Sequence, residues 1–395
     1  MTPRTVLVVA DDPALLTAVR RTFDPFVGEW DTDTARDAAD ALARVDDAPP
    51  DTLIADGRIG GMACDEFLLE VRRRRPQTVR IALAGPADQG QLIRLVAVAN
   101  RVIGKPFGPE ELPTTVRRAH TLRDLLGSPS LTTVVGRLGS VPTLSAVYSK
   151  IATELAFPDF SLAKVGEMVG EDAGIAAKLL QVANSALVGL RRPAACPSQA
   201  VRVLGAEMTR TLVLAADLFS RYNPAALRPF SIDALWEHSR KVAELAGRVA
   251  TATRAPDRVV RDATLAGLFH DIGRLTIASQ LPGLYREVLG LIRAEGLPLP
   301  VAERRVLGAS HAEVGGYLLG LWGLPDPLVE AVAWHHFPAG CPGAAFTPLT
   351  AVHIAEVMAG GDEESSLDLG YLGRLGLADK AAAWVESAQV AVAAG

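Results

Sequence analysis

The sequence predicts two unlike domains, an α/β domain with a doubly wound parallel sheet followed by an all-α domain. In about the first 120 residues, short apolar runs alternate with stretches of helical periodicity, which is the pattern of a parallel sheet covered on both faces. From Ser128 onward almost no run has the pattern of a strand. The stretch Gly127-Ser128-Pro129-Ser130 has linker composition. We therefore expect domains at 1–122 and 141–395, joined by a linker at 123–140.

The strand candidates of the first domain are short runs of apolar residues that end close to turn residues. Between them lie segments with apolar residues at three- and four-residue steps, beginning with Leu15, Leu16, Val19 and Phe23 after Asp12-Pro13. The predicted strands are Val6–Val9, Thr52–Ala55, Arg80–Leu83 and Arg101–Gly104. The later predicted helices are Ala35–Val45, Cys64–Arg75, Asp88–Ala99 and Pro109–Leu122.

The second domain is predicted to consist of helices separated by Pro/Gly pairs and preceded in places by capping residues such as Ser161 and Ser310. The predicted helices are Thr143–Ala156, Ser161–Val169, Asp172–Leu187, Ser198–Leu204, Glu207–Ser220, Ile232–Thr253, Asp257–His270, Leu284–Glu295, Ala302–Leu307, His311–Leu321 and Asp326–His335.

Composition excludes several classes of protein. The chain has 395 residues, 49% of them hydrophobic, which is enough for sizeable cores and is incompatible with intrinsic disorder. A net charge of −5 argues against a nucleic-acid partner on electrostatic grounds. The sequence has no apolar run of the roughly 20 residues that a membrane span needs, and no secretory signal. Three widely spaced cysteines without a CxxC motif support neither disulfides nor a cysteine zinc site, so we expect a cytoplasmic protein.

Acidic residues follow two of the predicted strands. Asp11 and Asp12 follow the first strand, Asp56 follows Thr52–Ala55, and Lys105 follows Arg101–Gly104. Ligands of open parallel sheets bind at the carboxyl ends of the strands. Carboxylates that meet there suit Mg²⁺ and would let a carboxylate attack a metal-bound phosphate. The alternative is that these aspartates are solvated turn residues.

This segment resembles the receiver domain of two-component response regulators over about residues 4–122. The motifs are Val8–Pro13, Asp51–Met62 and Lys105-Pro106-Phe107. The resemblance implies a flavodoxin-like sheet of five parallel strands, a phosphoacceptor at Asp56, and a pocket of Asp11, Asp12 and Lys105 that binds Mg²⁺. It also implies a sensor histidine kinase or another signalling protein as partner, and pairing of receivers into a homodimer.

The resemblance is incomplete at the switch position. Leu83-Ala84-Gly85-Pro86 carries Ala84 where the family places a threonine or serine. The methyl group of alanine donates no hydrogen bond to an incoming phosphoryl group. Two inputs therefore stay open, namely phosphorylation at Asp56 and docking that is independent of phosphorylation.

Six of the seven histidines lie beyond residue 230, on or beside separate predicted helices. An adjacent His-Asp pair together with histidines from other helices can form a cage for one or two metal ions, which would activate water for attack on phosphorus. The alternative for each single histidine is a buried, hydrogen-bonded core residue or a helix cap. The candidate metal ligands are His238, His270, Asp271, His311, His335, His336 and Glu356.

The helical region resembles the HDOD domain, a relative of the HD and HD-GYP phosphohydrolases. The matching segments are Val141–Leu144, Ala176–Ala186, Ser198–Gly205, Gly267–Gly273, Ser310–Gly315 and Trp334-His335-His336. HDOD domains are generally regarded as signalling outputs without catalysis, yet this chain keeps the HD histidines and Asp271. The last acid of the HD pattern falls near Glu356, a longer carboxylate than the usual aspartate. The resemblance to HD domains implies Mn, Fe or Zn at this site. Phe337-Pro338-Ala339-Gly340 replaces the Gly-Tyr-Pro loop, so a cyclic-di-GMP phosphodiesterase is not expected.

The sequence therefore predicts a two-component-type signal transduction protein of the phosphorelay kind. Its receiver would control a helical HDOD output that acts through a protein or small-molecule partner, and a nucleotide ligand is left open. The alternative is a receiver-regulated, metal-dependent HD-type phosphohydrolase or nucleotide phosphodiesterase. These two functions differ in one requirement, since an enzyme needs its histidines to converge within metal distance beside an open coordination position.

Overall fold

The computed structural model divides into two units, Met1–Asp124 and Leu125–Gly395. Its described residues are 3–26, 28–75, 77–85, 95, 98–138, 146–156, 160–184, 194–220, 227, 230–322, 324–360 and 366–393. The predicted helix Asp88–Ala99 lies mostly outside these residues, and the segment Val141–Leu144 lies wholly outside them. Among the described residues, no helix combines the length and the apolar character needed to cross a membrane.

The first unit contains a parallel five-stranded sheet with the strand order β2-β1-β3-β6-β7, which confirms the predicted fold class. The four predicted strands are present, and the fifth is β2, at the edge. A two-stranded antiparallel pair, β4 and β5, follows the third strand. The strands are β1 Arg4–Val9, β2 Trp30–Ala35, β3 Thr52–Ala55, β4 Arg58–Ile59, β5 Met62–Ala63, β6 Val79–Ala84 and β7 Arg101–Gly104.

Helices cover both faces of this sheet, and each face has its own buried apolar cluster. Asp37 caps the second helix by accepting a hydrogen bond from the backbone of Asp40. That helix therefore begins at Ala38, not at the predicted Ala35, which belongs to β2. The helices are α1 Pro13–Phe23, a 3₁₀ turn at Asp24–Phe26, α2 Ala38–Asp47, α3 Cys64–Arg74 and α4 Glu111–Leu126.

The second unit is helical, and none of its described residues forms a strand. The predicted helices Ser198–Leu204 and Glu207–Ser220 lie within the element Pro197–Ser220, and they are separated at Gly205, whose φ of 74° and ψ of 178° are not helical. The elements are α5 Pro129–Arg137, α6 Ala146–Ala156, α7 Leu162–Gly170, α8 Ala173–Ala183, α9 Pro197–Ser220, α10 Ile232–Ala252, α11 Asp257–Phe269, α12 Ile272–Gln280, α13 Pro282–Glu295, α14 Leu299–Leu307, α15 His311–Leu321, α16 Asp326–Trp334, a 3₁₀ turn at Pro338–Gly340, α17 Pro348–Ala359, α18 Leu369–Arg374 and α19 Ala378–Ala393.

The range predicted as a linker, 123–140, contains α5. Ser128 accepts a hydrogen bond from the backbone of Leu131, and Pro129 occupies the first helical position. Leu131 and Val134 are fully buried in an apolar cluster of the second unit. Ser-Pro is a helix-start signal as well as a linker signal, and here it begins a packed helix.

Two glycines let the helices around the His-Asp pair pack closely. A Cβ on Gly273 would lie 2.0 Å from the carbonyl oxygen of His311, and one on Gly267 would lie 2.7 Å from Cα of Ala243. Only hydrogen fits at either contact. The glycines therefore bring the helices that carry His238 and His311 against the turn that carries His270 and Asp271.

We expect Gly273→Ala to lower the free energy of unfolding by about 3 kcal/mol or more, because the added methyl forces α12 away from His311. Gly290→Ala is the matched control. Gly290 lies mid-helix, and a methyl group added there would have nothing within 4 Å, so this change should stabilise by about 0.5–1 kcal/mol. Urea unfolding followed by tryptophan fluorescence, with chelator present, measures both, since four of the five tryptophans lie in the second unit. Equal midpoints for the two variants would contradict the steric argument.

Candidate functional site

In the first unit, the structure brings Asp56 and Lys105 together. Lys105 Nζ lies 2.5 Å from Asp56 Oδ1, and the same oxygen accepts a hydrogen bond from the backbone of Gly57 at 2.7 Å. The Asp56 side chain is only 13% exposed. A carboxylate held by a lysine at the end of a parallel strand is a suitable acceptor for a phosphoryl group.

Asp11 and Asp12 follow β1, which pairs with the strand that leads to Asp56. Asp12 accepts a hydrogen bond from the backbone of Ala14 at 2.8 Å and so caps α1, and both Asp11 and Asp12 are exposed. The candidate metal groups found among the described residues do not include these acids. Mg²⁺ held by Asp11, Asp12 and Asp56 therefore stays a prediction based on the receiver resemblance.

Ala84 ends β6 beside the Lys105 strand end. The strand β6 pairs with β3 on one side and β7 on the other, and the backbone of Lys105 donates a hydrogen bond to the Ala84 carbonyl at 2.8 Å. The Ala84 residue is 8% exposed. A methyl group thus lies at the strand end between the strands that carry Asp56 and Lys105.

In the second unit, five segments bring titratable side chains into one buried cluster. His238 lies on α10 and Glu356 on α17, whereas the other candidate ligands lie at helix ends. His270 and His335 each follow the last residue of a helix. Their Nδ1–H groups donate to the carbonyls of Gly267 and Val332, at 2.7 and 2.8 Å. This bonding fixes both rings so that Nε2 points into the cluster.

The cluster contains two groups of candidate ligands, and both groups include Asp271. Within each group, the ligand atoms all lie within 4.8 Å of one another. One group is Asp271, His311, His335 and His336, and the other is His238, His270 and Asp271. Asp271 Oδ1 lies 3.1 Å from His311 Nε2, and its Oδ2 lies 3.5 Å from His270 Nε2. Each oxygen of one carboxylate therefore lies close to a nitrogen of a different group, and Oδ2 also accepts a hydrogen bond from Arg274 at 2.8 Å. Asp271 would be the shared ligand if both groups held an ion.

The donor set fits a transition-metal pair. His335 Nε2 is buried and has no hydrogen-bond partner among the described residues. Burial lowers the pKa of His335 to about 3, so this nitrogen keeps its lone pair at neutral pH. His336 Nε2 lies 3.0 Å from His311 Nε2. Converging imidazole nitrogens around a carboxylate suit Mn, Fe or Zn better than Mg²⁺.

Glu303 is a buried carboxylate that sequence reasoning missed. Its Oε2 accepts from the backbone of His311 at 2.7 Å and lies 2.6 Å from His311 Nδ1. Burial alone would lower the pKa of His311, but Glu303 and Asp271 raise it to about 10 in the absence of metal. A sequence signal exists, because Glu303 lies four residues from both Leu299 and Leu307, on the apolar face of its helix.

Glu356 and His353 have different roles although they share a helix. Glu356 Oε2 lies 3.0 Å from His238 Nε2 and 3.1 Å from His270 Nε2. Burial alone would raise the pKa of Glu356, but His270 and His238 hold it well below its usual value. His353 donates from Nδ1 to the His335 carbonyl and accepts at Nε2 from the Asp368 backbone. Both His353 nitrogens are therefore used in structural hydrogen bonds.

A cavity of about 150 Å³ opens onto one side of the cluster, where it is lined by His335, His336 and Glu356. Its other walls include Val301 and Phe337. His270, Asp271 and His311 lie behind these residues, each 1% exposed or less. A ligand would therefore reach the cluster from the side of His336.

We expect Glu303→Gln to weaken binding of Mn²⁺ or Zn²⁺ by about 10–100-fold, because the carboxylate that orients His311 loses its charge. Glu295→Gln is the control, since Glu295 is exposed and forms an ion pair with Arg305, away from the candidate ligands. Isothermal titration of the metal-free full chain measures both affinities, and circular dichroism checks that the helices persist. Unchanged metal affinity with an intact fold would rule out a role for Glu303 in orienting His311.

The architecture of the two units, a receiver-like α/β domain followed by a helical domain, fits a response-regulator-type signal transduction protein. Family models match the response regulator receiver domain over residues 6–117 and the HDOD domain over residues 141–338. The chain belongs to the HDOD family and carries a receiver domain ahead of the HDOD domain. Glu356 and His353 lie beyond the matched HDOD range.

Similar proteins are found for each part of the chain. An uncharacterized protein of Treponema pallidum (strain Nichols) is 24% identical over 287 residues, covering 68% of this chain and 54% of the relative. The hydrogenase transcriptional regulatory protein HoxA of Cupriavidus necator is 38% identical over 125 residues, covering 31% of this chain and 25% of that protein. The chain thus spans about half the length of the first relative and a quarter of the second.

A solved structure supports the fold of the second unit. The HDOD domain protein with unknown function from Geobacter sulfurreducens superimposes with a TM-score of 0.52 at 23% identity. The match covers 71% of this chain and 97% of that one.

Proposed function

We propose that the HDOD domain of this protein is a metal-dependent phosphohydrolase and that the receiver domain regulates it. The observation that carries the proposal is Asp271, whose two oxygens face two separate groups of histidine nitrogens. Two metal ions held there would supply an activated water for attack on a phosphate ester. His238 and His270 would hold one ion, and His311, His335 and His336 the other.

Neighbouring residues orient the side chains that would hold the ions or help to keep them ionised. Glu303 fixes His311 in one orientation, and the carbonyls of Gly267 and Val332 fix His270 and His335. Arg274 donates to Asp271 Oδ2 at 2.8 Å, and its positive charge helps to keep that buried carboxylate ionised. The chain thus holds its donors aligned, so that little side-chain reorganisation accompanies metal binding.

The cavity restricts the substrate. At about 150 Å³, it is smaller than the roughly 300–1,000 Å³ of ordinary ligand pockets. It has room for a phosphate group beside His336, while the rest of the substrate would extend toward Val301 and Phe337, which are 38% and 37% exposed. A phosphomonoester or a small phosphodiester fits this entrance better than a large cyclic dinucleotide.

The test combines metal content with turnover. The full chain is stripped with chelator, reloaded with Mn²⁺, Fe²⁺ or Zn²⁺, analysed by elemental mass spectrometry, and assayed with p-nitrophenyl phosphate and bis-p-nitrophenyl phosphate. We expect two equivalents of metal and metal-dependent release of nitrophenol, both lost in His270→Ala/Asp271→Ala. Two bound equivalents without turnover of either ester would reject the phosphohydrolase and leave a metal-binding output domain.

That second candidate, an output that acts through a partner without catalysis, is favoured by the burial of the cluster. His270 and His311 are fully buried, and Asp271 is 1% exposed. Metal bound there could support the fold alone, because structural sites are closed whereas catalytic ones keep an open position.

For the input to the receiver domain, we propose phosphorylation of Asp56 by a sensor kinase or a small phosphodonor. The contact between Asp56 and Lys105 supports this proposal.

A further inference from the structure

A second, larger cleft lies in the helical unit, away from the metal ligands. Its volume is about 620 Å³, within the range of about 300–1,000 Å³ usual for ligand pockets. Helices α8 and α9 form one wall, with Val203, Leu204 and Met208, and helices α10 and α11 form the other. None of the described residues that line it belongs to the metal groups.

Two arginines carry positive charge at this cleft. Arg248 on α10 and Arg261 on α11 both line it, and both are exposed. Within the described part of the chain, neither guanidinium makes an ion pair or a hydrogen bond. The other charged side chains on these two helices include Arg240, which pairs with Glu237, and Arg258, which lies 3.8 Å from Asp262. A pair of guanidiniums without protein partners favours an anionic ligand.

The apolar part of the lining indicates what the anion is attached to. Val182, Leu204, Met208 and Val260 are aliphatic, and no described residue lining the cleft is aromatic. Among these described residues a nucleobase would have no ring to stack on, whereas an alkyl chain would find aliphatic walls. Met208 adds an adaptable side chain that can pack against chains of different length.

We propose that this cleft binds an amphipathic anion, with an alkyl chain between the helices and a carboxylate or phosphate head on Arg248 and Arg261. The ligand would lie against α10, which also carries His238, and against α11, which leads into His270 and Asp271. The proposal does not depend on hydrolase activity, because the described residues that line the cleft include none of the candidate metal ligands.

The test titrates the full-length protein with decanoate and with decyl phosphate by isothermal calorimetry, below their critical micelle concentrations. Decyl maltoside and decyltrimethylammonium are the neutral and cationic controls, and AMP is the nucleotide control. We expect one equivalent of at least one decyl anion to bind, and the two head groups show whether carboxylate or phosphate is preferred.

Three variants locate the binding. Arg248→Gln/Arg261→Gln should weaken binding about tenfold or more, because two charge-assisted contacts are lost. Val203→Phe should fill the cleft without disturbing the core, since Val203 is 47% exposed. Arg286→Gln/Arg293→Gln removes two exposed arginines elsewhere and should leave affinity unchanged. The proposal is overturned if neither decyl anion binds, if the cleft variants bind as tightly as the unaltered protein, or if decyl maltoside or AMP binds equally well.

Discussion

Asp271→Asn is expected to remove metal from both positions at once. Asp271 belongs to both candidate metal groups, and its two oxygens face different histidines. An asparagine keeps the shape but has no negative charge, and its amide nitrogen has no lone pair to offer a metal ion. We therefore expect metal content to fall from two equivalents to none after reconstitution with Mn²⁺, with any esterase activity falling at least about 100-fold.

The controls separate loss of ligation from loss of fold. Asp257→Asn changes an exposed aspartate at the start of α11 and should keep both ions. His336→Gln removes a ligand of one group only, so this variant should keep about one equivalent. Circular dichroism of all three proteins in chelator shows whether the helices persist. A folded Asp271→Asn protein that still holds two equivalents would show that Asp271 does not bridge the two positions.

Particular strands show how far the sequence predicts the fold. The runs Val6–Val9 and Thr52–Ala55 are predicted because all their residues are buried in the centre of the sheet. The strand Trp30–Ala35 is not predicted by the same reasoning. It is an edge strand, its interior residues are polar, and only its two end residues are buried. Its place is fixed by pairing with β1, a long-range contact that local pattern does not reveal.

The candidate site likewise contains residues that the sequence predicts and relationships that it does not. His270, Asp271 and His311 are recognisable because they lie in short motifs, and the structure brings them within a few ångströms of one another. The pairing of Glu303 with His311 depends on how α14 packs against the start of α15, so only the apolar periodicity around Glu303 hints that it is buried. The sharing of Asp271 between two groups likewise depends on three-dimensional arrangement, since it requires four segments to meet.

Asp56→Asn is expected to abolish labelling of the full-length protein by radioactive acetyl phosphate. The Asp56 carboxylate is the group held by Lys105 at the end of β3, and an amide is too weak a nucleophile to take its place. Asp51→Asn is the control, because Asp51 precedes the same strand and its side chain accepts a hydrogen bond from the backbone of Thr5. Labelling that survives in Asp56→Asn would move the acceptor to another residue. No labelling of the unaltered protein would favour docking without phosphorylation.

Ala84 determines which structural change phosphorylation of Asp56 can cause. With a methyl group at the end of β6, a phosphoryl group on Asp56 has no hydroxyl there to draw it toward the Lys105 strand. We therefore expect little change in hydrogen exchange of β6 and β7 when the unaltered protein is phosphorylated, and a clear increase in protection in Ala84→Ser. Val102→Thr, which adds a hydroxyl in the middle of β7, is the control. Equal protection in the unaltered protein and in Ala84→Ser would mean that the receiver transmits its signal without a switch hydroxyl. Signalling to the HDOD domain would then have to begin with a change at Lys105 or at the turn that carries Asp56.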